Sequence, residues 1–215
     1  GSGIPQGPHP VKKILVRKFE IVHRKKVGEF HRLAGALGDK SFTTFHGDGV
    51  KISIQLSEPA YCYVIAFWPD GGSELCLPED ESEAPTLTDN PRYPSVNAGV
   101  NYGLTDGTGL EALILVASRK PLPPYQQWKK NLGASPWKPT ATPTGVVWHY
   151  QQGELMEWTP ENPYRVGGRS RGKNQQVAGG SMVVRTAKWL KGGPEIEMVE
   201  AMGFPVLPPS RKAPE

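Results

Sequence analysis

Cysteine is scarce in this chain: only Cys62 and Cys76 occur among 215 residues. So few thiols exclude a disulfide-stapled scaffold and point to a reducing compartment. No apolar run approaches the roughly 20 residues that a membrane helix needs. No membrane segment is therefore expected, and a cytoplasmic location is. The start "GSGIPQGPHP" is neither a signal peptide nor amphipathic; residues 1–10 read as a tag and flexible lead-in.

Reaction motifs are lacking too. The five histidines, His9, His23, His31, His46 and His149, show no H-E-x-x-H or other paired spacing. No G-x-S-x-G elbow is present. Ser118, His149 and an aspartate could be assembled into a triad, but a triad is defined in space, and such sets arise by chance in most sequences. A hydrolase built on His149 or His46 is kept only as an alternative. "GGRSRGK" satisfies G-x-x-x-x-G-K through Gly167, Gly172 and Lys173. However, Asn174 stands where Ser or Thr is needed, and neither a strand before nor a helix after is indicated. Asp48, Asp70, Asp80 and Asp106 lie in loops outside any calcium-loop frame and read as turn-stabilising residues. No catalytic residue, metal or cofactor is therefore expected.

What the chain does have is glycine (25) and proline (22), spread between short apolar runs, which suggests many short strands and turns. Val50, Ile52, Ile54 and Leu56 alternate with Lys51, Ser53, Gln55 and Ser57, giving a strand with one wet face. "AYCYVIAFW" (60–68) and "LEALILVAS" (110–118) are apolar throughout and read as strands covered on both sides. "PDGG" (69–72) turns the first of these into "SELCLP". With a four-residue loop the two thiols fall on opposite faces, and with a loop one residue longer or shorter they sit out of register, so Cys62 and Cys76 miss disulfide geometry and read as two small hydrophobes in a sheet. "VKKILVRKFEIV" (11–22) and "EIEMVEAMGFPV" (195–206) read as strands, and "VVWHYQQGELMEW" (146–158) as a hairpin. Residues 27–38 carry apolar residues at a spacing that suits a short helical turn, although their glycines oppose it. "SMVVRTAKWL" (181–190) is the expected helix, with Ser181 as N-cap and Gly192 past its end. The six prolines of 119–145 exclude a helix or central strand over most of that length. Its Tyr125, Trp128 and Trp137 suggest an extended segment pinned by aromatics. The fold expected is a mainly β, antiparallel β-sandwich of Ig-like or Greek-key type with one late α-helix. It forms a single domain over 11–207 with a frayed tail over 208–215.

Charge is segregated. Residues 1–40 carry nine Lys/Arg against three Asp/Glu, and 70–111 carry nine acids against Arg92 alone. Residues 165–191 carry seven bases and no acid. Arg165, Arg169, Arg171 and Lys173 form a basic loop suited to docking an acidic partner. Single-stranded nucleic acid or another polyanion is the alternative ligand for residues 165–173. The acidic middle would repel it, so a nucleic-acid partner is not favoured.

"GDGVKISIQLSEPAYCYVIAFWPDGGSELCLPED" resembles a bacterial domain of unknown function. In that family a G-D-x-V strand leads to a "PAYxY" strand, a "PDG" turn and an "LxPxE" segment. "YGLTDGTGLEALILVASRKPLP" resembles the family's later strand, and "GFPV" its last strand in Planctomycetes-type variants. The resemblance covers about residues 40–125 and, more weakly, 146–207. It implies a β-rich accessory domain that in many relatives follows a Ser/Thr protein kinase or a caspase-like peptidase. It carries over no catalytic residue. Together these readings lead us to expect a non-enzymatic sensing or docking module of bacterial signalling. It would bind a protein partner or small ligand through its loops, with the acidic loop 79–91 and the basic loop 165–173 as the surfaces to test.

Overall fold

The alternation over residues 50–57 dictates one buried and one wetted sheet face, and a second apolar layer must cover the buried one. The computed structural model describes residues 7, 11–95, 100–142, 145–149, 155–157, 164–167 and 180–209. In chain order its strands are β1 (Val16–Val27), β2 (Phe30–Ala36), β3 (Thr44–Phe45), β4 (Gly49–Leu56), β5 (Ala60–Phe67), β6 (Ser73–Leu77), β7 (Leu87–Thr88), β8 (Arg92–Tyr93), β9 (Tyr102–Gly103), β10 (Gly109–Ser118), β11 (Pro139–Thr142), β12 (Gly145–His149), β13 (Leu155–Glu157), β14 (Tyr164–Val166) and β15 (Met198–Leu207). A single helical turn, α1 (Tyr125–Trp128), continued by a 3-10 turn over Lys129–Asn131, and a twelve-residue helix, α2 (Gly180–Lys191), complete the described set.

Two mainly antiparallel sheets pack as a sandwich. The first runs β2-β1-β4-β8, with β9 also on β4. The second runs β14-β15-β10-β5-β6, with β7 on β5 and a parallel β3 on β15. β11, β12 and β13 form a small third sheet, and the register His149↔Leu155 bears out the hairpin expected over 146–158. Between the two large sheets, Phe19, Ile21, Ile52, Ile54 and Leu56 meet Val64, Leu113, Leu115 and Phe204.

The second sheet is covered on its other face as well, so β5 and β10 are central strands, as their unbroken apolar runs indicate. Tyr63, Ile65, Phe67, Ile114 and Val116 on that face pack against Leu122, Tyr125, Trp128, Trp137, Met182, Val183 and Leu190. The proline-rich segment is thus pinned by its aromatics, which lie inside a second core. Each indole N–H donates to a backbone carbonyl: Trp128 to Pro194 at 3.0 Å and Trp137 to Trp68 at 2.8 Å. Helix α2 covers this sheet face. Its stop is as expected, with Gly192 N donating to Lys188 O at 3.1 Å. Its start is not: the helix begins at Gly180, so Ser181 lies inside the first turn.

Residues 27–38 differ more. They form a hairpin tip and β2, paired with β1 from Val27↔Phe30 to Val22↔Ala36. Gly28 (φ 60) and Gly35 (φ 126) adopt backbone angles that a right-handed helix excludes. Gly28 opens the two-residue turn, as a type II′ hairpin requires.

Trp128 is 1 % exposed, and a Cβ on Gly193 would lie only 2.2 Å from its ring. Trp128→Ala is expected to cost about 3–5 kcal/mol in urea unfolding. A loss below about 1 kcal/mol would show that the second core contributes little.

Candidate functional site

One end of the sandwich gathers the β1–β2 tip with the loops at 44–48, 69–72 and 104–109. The backbone stitches two of these, 44–48 and 104–109, to each other and to the end of β15. Gly47 N donates to Leu104 O at 2.8 Å, Leu104 N to Asp48 O at 2.8 Å, and His46 N to Leu207 O at 2.7 Å. Gly107 (φ 102) packs on Asp70, whose amide nitrogen would lie 3.4 Å from an added Cβ. The hairpin is tied in by Lys26 N donating to Asp48 Oδ1 at 2.8 Å and by Lys25 Nζ lying 5.7 Å over the Phe45 ring.

Beneath this rim lies a pin that sequence reasoning missed. His23 Nε2 is 2.6 Å from Asp48 Oδ2, and His23 Nδ1 is 2.7 Å from Ser41 Oγ. Phe45 N also donates to Asp48 Oδ2 at 2.9 Å. Burial raises the Asp48 pKa, but the hydrogen bonds from His23, Lys26 and Phe45 outweigh it and hold the carboxyl below its usual value. The trio has the composition of a hydrolase triad with the ring reversed. In a triad the carboxylate sits on Nδ1 and the nucleophile on Nε2. Ser41 is 6 % exposed, and His23 and Asp48 are 2 % exposed, so the hydroxyl faces the fold rather than a substrate. The geometry fixes the loop 41–48 against β1.

The second missed group is Glu111. It alternates with Leu113 and Leu115 on the inter-sheet face of β10 and is 1 % exposed. Its Oε1 is buried with no hydrogen-bond partner. One step beyond the pair Ala112↔Phe67, Trp68 lies beside it. Trp68 Nε1 donates to Tyr102 Oη at 2.7 Å, and the Tyr102 hydroxyl bonds to Glu74. Burial drives the Glu111 pKa well above its usual value, and the charges of Asp106, Glu74 and Asp70 push it the same way. Four carboxyls thus converge on one corner of the rim. His46 lies at their border, its Nε2 3.1 Å from Thr105 O.

Of the residues that the sequence singles out, His46 contacts that carbonyl, and the side chain of His149 lies outside the described residues. The histidine on a carboxylate is instead His23. Arg165 is held by the fold: its Nη2 is 2.6 Å from Glu200 Oε1 and its guanidinium lies 5.2 Å over the Phe19 ring. Arg169, Arg171 and Lys173 lie outside the described residues, as do 1–6, 8–10 and 210–215. In the acidic loop, Glu81 pairs with Lys129 at 2.9 Å, and Asp80 accepts from Ser82 N at 2.8 Å. This loop borders an open cleft of about 390 Å³ lined by Leu77, Pro85, Thr88 and Arg92. Cys62 and Cys76 are free and buried. The hairpin between them pairs Phe67↔Ser73, a five-residue loop, and a bulge places both thiols in the inter-sheet core. Burial pushes the Cys62 thiol up to about 12, which suits packing and not a nucleophile.

Residues 44–121 match the family model of a domain of unknown function, DUF4384. The match falls within the segment, about 40–125, whose motifs carry the resemblance. It spans β3 to β10 and includes Asp48, Asp70, Glu74, Asp106 and Glu111, but not His23. No curated protein and no solved structure matches the chain.

Glu111 gives a pH signature. Its folded pKa lies above the unfolded value near 4.5, so the fold gains full stability only below that value. Stability falls as pH rises from there toward the folded pKa. Glu111→Gln is expected to raise the Tm at pH 8 and to flatten the decline between pH 5 and pH 8. An unchanged pH profile would remove Glu111 as the buried acid.

Proposed function

We propose that this chain is a non-catalytic docking domain of a cytoplasmic bacterial signalling protein. In this reading a protein partner binds as an added strand along β2. The observation that carries it is the β1–β2 hairpin itself. β2 ends its sheet, pairing only with β1 among the described residues, so its outer edge offers unpaired backbone donors and acceptors. Phe30 is 79 % exposed, Leu33 62 % and Val27 44 % on this one hairpin. Single exposed apolar residues are ordinary, but two on the free edge strand, with Val27 paired across from Phe30, mark an interaction surface. Arg24, Lys25, Lys26 and Arg32 surround them against Glu29 alone. Lys25 and Arg32 form a cross-strand pair of like charge, which costs stability unless an anion faces it. The chemistry therefore favours an acidic strand with alternating apolar residues. The resemblance to domains that follow Ser/Thr kinases or caspase-like peptidases supports a partner within the same polypeptide.

The test is fluorescence anisotropy with labelled peptides of alternating valine and glutamate. Three forms are compared: the parent, a lysine-for-glutamate version, and a version with a central proline. The first is expected to bind and the other two to fail, with binding lost in Arg32→Glu and weakened in Phe30→Ser. Phe30 is too exposed for its loss to unfold the domain. Equal binding of the proline or lysine peptides would defeat the strand-addition reading.

A further inference from the structure

The acidic corner of the rim has a different chemistry from the hairpin, and its reading does not depend on the docking proposal. Its floor is Glu111, whose Oε1 is buried without a partner. A buried carboxyl in that state costs free energy, and a native fold retains one only for a reason. Its walls are Glu74 and Asp106, both half-buried, with Asp70 exposed at the lip. The strand register sets Glu74 opposite Ala66 and Glu111 one step past Ala112↔Phe67, so both side chains stand on the inter-sheet face. Trp68 and Tyr102 close the side through their 2.7 Å hydrogen bond. His46 is the basic group that faces Asp106. No Lys or Arg among the described residues pairs with Glu74, Asp106 or Glu111, whereas Glu58, Glu81, Glu195, Glu197 and Glu200 all have such partners.

The spacing of the carboxyls selects the ligand class. Among the described residues, no three His, Cys, Asp or Glu side chains stand close enough to share one metal ion. A bare divalent ion needs its oxygens gathered at one point. A guanidinium or ammonium group spreads its N–H donors and can reach several separated acceptors at once. An indole and a phenol at the wall also suit such a cation.

We propose that Glu74, Asp106 and Glu111, beside Trp68 and Tyr102, form a binding site for a guanidinium or ammonium group. A basic peptide side chain and a free small molecule can both supply this group, and the recognising chemistry is shared.

Thermal unfolding of the full chain at pH 8 tests this with L-argininamide, a capped Gly-Arg-Gly tripeptide and calcium chloride, all at matched ionic strength. Argininamide is expected to raise the Tm in a concentration-dependent way, while calcium gives no more than the salt control. The shift, measured against each variant's own Tm, is expected to vanish in Glu111→Gln and Asp106→Asn. A tripeptide as effective as argininamide assigns the site to a peptide side chain, and a weaker one assigns it to a free ligand. The proposal is overturned by no shift with any organic cation, by shifts that survive both substitutions, or by calcium stabilising more than argininamide. Glu111→Gln keeps the shape of the side chain and removes a buried acid, so loss of the shift would not reflect unfolding.

Discussion

The whole structure depends on burying β10 on both faces. All ten of its residues are buried, and it is hydrogen-bonded along both edges, to β5 and to β15. A strand of this kind cannot stand in water, so each face demands its own cover. The first sheet supplies one cover. The aromatic-pinned proline-rich segment and α2 supply the other. The segment that matches the family model contains β10, β5, β6 and β4 but neither β1 nor β15. The flanking regions therefore complete both sheets: β1 pairs with β4 and β15 with β10. Two of the strands that close this sandwich, β1 and β15, lie outside the matched segment.

The placement of charge follows from the same constraint. With both faces of the second sheet covered, ionisable groups collect where strands end. Two acids depart from this pattern: Glu200, inside β15, keeps Arg165 as a partner, whereas Glu111, the third residue of β10, loses its water without pairing to a base. Asp48 shows the contrasting outcome. It is equally buried, yet two backbone amides and His23 satisfy it, and its ionised form is favoured. The first arrangement leaves an acid available to an incoming cation, and the second locks a loop in place. The same rim carries a basic hairpin on one side and an acidic corner on the other, with the loop 44–48 between them.

Much of this architecture was legible in the sequence, for local reasons. The alternation of Val50, Ile52, Ile54 and Leu56 and the unbroken apolar runs of β5 and β10 specify their faces without reference to partners. Trp128 and Trp137 in a proline-rich stretch indicated that it had something to cover. The failures are of two kinds. Over 27–38 the apolar spacing suggested a helix, but positive-φ glycines and pairing with β1 decided otherwise, and pairing is not visible locally. Glu111 and His23 were hidden for another reason. One polar letter inside "LEALILVAS" reads as noise in an apolar run, and His23 lies among bases on a strand. The partners of His23, Ser41 and Asp48, are 18 and 25 residues away. Only the fold brings them together.

Residue-resolved hydrogen exchange of the full chain tests the central claim most directly. If β10 is the doubly covered centre, its amides and those of β5 and β15 exchange only through global unfolding, with free energies equal to the denaturant value. The outward amides of β2 then exchange orders of magnitude faster. Exchange of β10 by local opening, at rates near those of β2, would contradict the account.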